Sequence, residues 1–252
     1  MTVAKGVCRF WQSRPCSVNA HIIPASFFRA RALSGNNNLL FSHKSDFAKK
    51  SHTGVYDELL VCAECETKFG PYDDYGFEFF KLKGAAPLVS PDNLERLVWQ
   101  SPVDYTKLKL FVLSILWRAS ASDRPECASA KLGRFEETIR EMIESGNAGP
   151  ADRFPVLLQR YDQGQDSTPV SLPHRARIEV EGVNFYKTEL AGCAIWVVID
   201  ERKLISTLKE ASLAPGKPAL VMVMDYFATQ EWRRMRQMLV RIRNNTGRWP
   251  GQ

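Results

Sequence analysis

The apolar positions along the chain fall into two textures. Residues 103–120 carry Leu108, Phe111, Val112, Ile115 and Leu116, which predicts a central core helix. Another helix is predicted over about residues 131–144, with Phe135, Ile139, Met142 and Ile143 on one side and Ser145-Gly146-Asn147 ending it. Residues 91–100 are also predicted helical, because Pro91 and Asp92 suit a helix start. After about residue 150 the texture changes. Residues 177–183 and 184–190 alternate, while 194–199 and 219–224 are continuous apolar runs. These predict three to four strands, with a short helix near 202–211. A last helix over about 229–243 places Trp232, Met235, Leu239 and Ile242 on one stripe.

The amino-terminal third is more broken. Residues 7–23 predict a hairpin or metal-bound loop leading into a strand that ends at His21 to Ile23, where Pro24 stops the ladder. A short helix is predicted over 25–33, with Phe27, Phe28 and Ala32 as its apolar face. Residues 34–54 are polar, interrupted by Leu39, Leu40 and Phe41 as one short strand. Residues 55–61 predict a strand, and 63–82 a helix kinked or split at Gly70-Pro71. In that helix Phe77, Phe79 and Phe80 point inward. Residues 84–87 look like a boundary. The expected class is α+β: a small unit over 1–84, then a helical and mixed β-sheet part over 85–252, the two able to pack as one body.

Composition adds bounds. With 252 residues, 44% hydrophobic and 25% charged, the chain can bury a core without staples. Its net charge of +6 permits a polyanionic partner and equally fits an inert basic surface. No apolar run reaches about 18 residues, so no membrane span is expected. The first residues lack a signal-peptide apolar stretch, so a cytoplasmic protein is expected, where clustered cysteines point to metal rather than disulfides.

The cysteines change the picture most. Cys8, Cys16, Cys62 and Cys65 offer four sulfurs that can close a tetrahedral zinc site and fix His21 nearby. Cys62-x-x-Cys65 alone also fits a buried thiol pair or a redox motif; the second should open a helix in a βαβ setting, and the basic loop before it and the missing flanking Trp and Pro speak against it. Cys127 and Cys193 read as ordinary thiols, Cys193 inside a strand. His21 is either a base or a hydrogen-bonded strand end. His43 and His52 read as loop residues, and His174 as structural or exposed in a linker after a proline. The arginines at 233, 234, 236, 241 and 243 are either a phosphate-binding face or a solvated helix exterior.

The series Cys8…His21-Ile22-Ile23-Pro24…Leu60-Val61-Cys62-x-x-Cys65-Glu66, with Tyr72-Asp73 beyond it, resembles the HNH-type (ββα-metal) endonucleases. It looks most like an uncharacterised bacterial branch with a Ser/Ala-His-Ile-Ile-Pro motif. The resemblance covers roughly residues 8–80. It implies a metal-dependent enzyme cleaving DNA phosphodiester bonds, in a mobile-element or anti-phage defence setting. By match to the motif, His21 would be the general base, and Cys8, Cys16, Cys62 and Cys65 the ligands of a structural zinc. Glu66, with Asp73 or Asp74, would offer oxygens to a catalytic magnesium or manganese. The chain departs from the pattern at three places. Trp11 stands where the first pair has its second cysteine, Ala20 where a metal ligand often precedes the base, and Glu66 where a histidine often follows the second pair. Two alternatives therefore stay open: a catalytically inactive zinc-binding module that binds nucleic acid, or one that binds a protein partner.

Overall fold

The computed structural model describes residues 6–16, 18–33, 39–40, 49–50, 54–81, 85–87, 98–162, 170–177, 182–204, 207–225, 228–229 and single positions between 233 and 244. Its centre is the helix α3, Tyr105–Ala121, in which nearly every side chain is buried. Two short strands, β2 (Leu39–Leu40) and β3 (Lys49–Lys50), pair antiparallel in a small sheet of their own. Asp104 caps α3 by accepting from the Lys107 N–H at 3.0 Å. A helix apolar all round has to be covered all round. Here α2 (Ala63–Phe79) covers one side, α4 (Glu136–Ser145) another, and the sheet the rest. Among the described residues no helix is long and apolar enough to cross a membrane.

α2 is one continuous helix although Pro71 lies inside it. The expected split at Gly70-Pro71 is absent; Pro71 is exposed, so water can take the carbonyl that proline leaves unbonded. Phe27 of α1 (Ala25–Leu33) stacks on Phe111 at 5.9 Å and meets Phe77 edge-on at 5.3 Å. The two long helices approach closely at Gly76, where an added Cβ would lie 2.5 Å from the Phe111 ring. Gly76→Ala is therefore expected to destabilise by about 1–3 kcal/mol of overpacking, less a fraction returned by helix propensity. Denaturant unfolding should show a lowered midpoint with an unchanged slope.

Seven strands form one mixed sheet: β5 (Ala86–Pro87), β6 (Val98–Ser101), β7 (Val156–Tyr161), β8 (Ser171–Arg177), β9 (Asn184–Leu190), β10 (Cys193–Val198) and β11 (Ala219–Met224). Their order is β5-β6-β11-β7-β10-β9-β8, antiparallel throughout except for the parallel pair β11 and β7. β7 shows the alternation: Val156 and Leu158 join the core around α3, while Leu157 packs with Phe185, Val198 and Leu204 on the opposite face. That face also buries the ion pair Lys187–Glu189 (3.1 Å), whose carboxylate accepts from Tyr161 Oη at 2.7 Å.

The architecture is α+β, as expected, with several local corrections. Of the helix expected over 91–100, residues 98–100 are strand and 91–97 lie outside the described residues; β6 exists because it lies between β5 and β11. Of the strand expected over 177–183, Arg177 ends β8 (Ser171–Arg177), Val183 is outside any strand and 178–181 lie outside the described residues; among the described residues five strands rather than three to four follow residue 150. His174 is buried in β8, not in a linker, with Nδ1 3.2 Å from Leu172 O. The expected boundary at 84–87 holds the edge strand β5, a position where proline is tolerated. Among the described residues the main apolar cluster draws on both parts of the chain, from Cys8 to Val221, with smaller clusters on the other face of the sheet. Trp232, Met235, Leu239 and Ile242, and with them Arg234 and Arg241, lie outside the described residues; Arg233, Arg236, Val240 and Arg243 are helical.

Candidate functional site

The site begins at a tight amino-terminal loop. Val7 bridges Pro15, Cys16 N–H donates to Gly6 O at 2.8 Å, and Cys8 N–H donates to Arg14 O at 2.6 Å. The turn closes with Gln12 N–H on Cys8 O at 2.7 Å, Gln12 taking a left-handed φ of 55°. Trp11 N–H points at Cys8 Sγ, 3.5 Å away. Trp11 cannot replace the missing thiol as a ligand. Its ring instead packs beneath Arg14 (4.3 Å) and Lys68 (4.9 Å).

The second half comes from α2. Cys62 is its N-cap and Cys65 lies in its first turn, so the x-x spacing turns both thiols toward Cys8. Cys65 Sγ lies 3.6 Å from Cys8 Sγ and 3.5 Å from Cys62 Sγ, and all three sulfurs fall within 4.8 Å of one another. Sulfurs on a tetrahedral zinc with bonds of about 2.3 Å stand roughly 3.8 Å apart, so the spacing fits a shared ion. It is far too long for a disulfide, and all six cysteines are free. Burial and the neighbouring thiols push the Cys65 thiol up. Burial alone would raise Cys62 too, but hydrogen bonds from Cys65's backbone and from the adjacent thiols bring it below its ordinary value. This buried group can hold a metal ion. Cys16, the fourth expected ligand, is buried close enough to Cys8 for that thiol to help raise its own, yet it stands outside the group of three.

Two short strands, β1 (Ala20–His21) and β4 (Tyr56–Asp57), pair antiparallel with His21 opposite Tyr56, and α2 follows directly. The turn between β4 and α2 is locked by buried Asp57, which accepts from Leu59 N–H at 2.8 Å and from Ser122 Oγ at 2.6 Å. The His21 ring is half-buried, its centroid 6.0 Å from that of Tyr56. Burial, then the charges of Arg118 and Arg29, hold its pKa below the ordinary imidazole value.

Glu66 and Asp73 stand two turns apart on α2, but their surroundings differ. Both Asp73 oxygens accept from Arg118, Oδ1 at 2.7 Å and Oδ2 at 3.0 Å. Burial pushes the Asp73 carboxyl up, against the pull of that guanidinium. Glu66 Oε2 is buried with no hydrogen-bond partner among the described residues. Burial raises the Glu66 pKa, offset by Arg118 and reinforced by Asp73. Asp74 is exposed. The structure thus sets Arg118 beside His21, Glu66 and Asp73 together, whereas Cys127, Cys193 and His174 lie in other elements. His43 and His52 lie outside the described residues. Sequence reasoning missed Arg118 and Asp57. For Arg118 a signal existed: it is a lone arginine in an otherwise apolar helical stretch. No family model, no curated protein and no solved structure matches the chain.

Proposed function

We propose that this chain is a metal-dependent phosphodiesterase of the HNH type acting on DNA, with a structural zinc on the cysteine group and His21 as general base. One arrangement carries the reading: an antiparallel strand pair bearing His21, followed by a helix that opens on two clustered thiols and then presents Glu66 with an unpartnered buried oxygen. A buried carboxylate oxygen without a donor is costly, and a hard cation is the partner its chemistry suits. Such an ion, when bound, stabilises charge developing on the phosphate. His21 in its neutral form accepts the proton of the attacking water. Arg118 holds Asp73, which leaves Glu66 as the carboxylate available to the ion.

One observation favours a second reading. With both Asp73 oxygens engaged by Arg118, Glu66 is left as a single carboxylate, the low end of what magnesium takes from protein, which suits a zinc-scaffolded module that binds DNA without cutting it. Nicking of supercoiled plasmid with magnesium or manganese separates the two. Binding whose affinity falls steeply with salt, without nicking, would support the module. Within the first reading, Glu66→Gln should lower metal-dependent nicking on the order of 10–100-fold. Its melting temperature should hold or rise, since a buried lone charge is removed. A Glu66→Gln variant that nicks at the parental rate excludes Glu66 as a ligand.

A further inference from the structure

We propose that Arg118 is a positioning residue of this site, a buried group that holds both the His21 strand and the Asp73 turn of α2 in fixed relation to the central helix. Its effect on cleavage presupposes the phosphodiesterase reading; its effect on the His21 strand does not. The Arg118 side chain is wholly buried, 0% exposed. A guanidinium has five N–H donors in a rigid fork, and here the hydrogen bonds number five. Nε donates to Ser114 O (3.3 Å), Nη1 to His21 O (2.9 Å) and Asp73 Oδ2 (3.0 Å), and Nη2 to Asp73 Oδ1 (2.7 Å) and Ser114 Oγ (3.2 Å). The Phe69 ring of α2 lies 4.9 Å from its Cζ.

Stability alone is a weak account of this arrangement. A buried ion pair can often be replaced by apolar residues at no loss. Arg118 instead spends its donors on three elements, and the strand carbonyl it takes is that of His21 itself. A lysine cannot copy this, because a point ammonium does not grip a carboxylate and a strand carbonyl in one plane. Among the described residues, the charged and titratable groups that act on or touch the imidazole are Arg118 from α3, Arg29 from α1 and Tyr56 from β4. With two cations among them, the field favours the neutral ring.

Two variants test the assignment. Arg118→Met combined with Asp73→Leu removes the pair without stranding a charge, so the fold should survive. In it, the His21 titration followed by NMR should move up toward the ordinary imidazole value, and nicking should fall on the order of 100-fold. Arg118→Lys keeps the charge and loses the fork. It should lose nicking to a similar extent and speed hydrogen exchange at the Ile22 amide, which bonds Val55 O at 3.0 Å beside His21. Parental nicking in either folded variant overturns the proposal, as does an unchanged His21 titration in the double variant or unchanged Ile22 protection in Arg118→Lys. If the parent itself does not nick DNA, the phosphodiesterase reading fails. The titration and the exchange then still decide what Arg118 does.

Discussion

Cys65→Ala is expected to unfold the amino-terminal unit, not just to loosen it. Cys65 is wholly buried and its sulfur lies 3.6 Å from that of Cys8 and 3.5 Å from that of Cys62. The strands beside it are two residues long each, too short to hold the unit by backbone pairing. Binding of a structural zinc contributes about 10–16 kcal/mol of apparent free energy in small zinc domains, comparable to the whole stability of a typical domain. The damage should spread, because Phe10 of the cysteine loop packs edge-on against Phe69 (5.5 Å) and Trp117 (5.0 Å) in the shared core. Losing even about 5 kcal/mol would lower the melting temperature by roughly 10–20 °C for a chain of this size. A strong chelator should reproduce that loss in the parent and add nothing to Cys65→Ala. Metal analysis should find zinc in the parent and none in the variant. A parent that carries no metal and melts identically with and without chelator would sink the metal-centre reading.

The elements that were legible share a reason. α3, β10 and β11 carry long apolar runs, and α4 carries one apolar face, so their type is set by pattern before any neighbour is considered. β6 was not legible, because Val98–Ser101 is made a strand by β5 and β11 on either side of it. β8 was hidden by Pro173, tolerated there because β8 is an edge strand with a register shift between Ser171 and His174. In the candidate site, three of the four cysteines could be brought together on ligand spacing alone. Spacing could not tell Asp73 from Glu66. The difference between them comes from Arg118, forty-five positions from Asp73 in sequence. Hydropathy reading assigns a charged residue to a helix exterior, so a buried arginine whose donors are all satisfied is the kind of group it overlooks.

His21→Ala should behave in the opposite way to Cys65→Ala. The contact that ties His21 to the rest of the molecule runs from Arg118 to its backbone carbonyl, and that bond survives truncation of the ring. The β1–β4 pairing with Tyr56 is likewise made by backbone. The melting temperature should therefore change little. General-base catalysis contributes about 10²–10⁴-fold, so nicking should fall by that order. The pH profile supplies an independent sign. Burial, Arg118 and Arg29 hold the His21 pKa below the ordinary imidazole value, which favours the neutral ring able to accept a proton at pH 7. Parental nicking should thus be flat through neutrality and decline as pH falls through a value below that of an ordinary imidazole, where protonation removes the base. His21→Ala should lack that acid limb as well as the rate. If His21→Ala nicks DNA as fast as the parent, or melts as early as Cys65→Ala, the histidine is a structural strand end. The site would then be that of a zinc-scaffolded binding module.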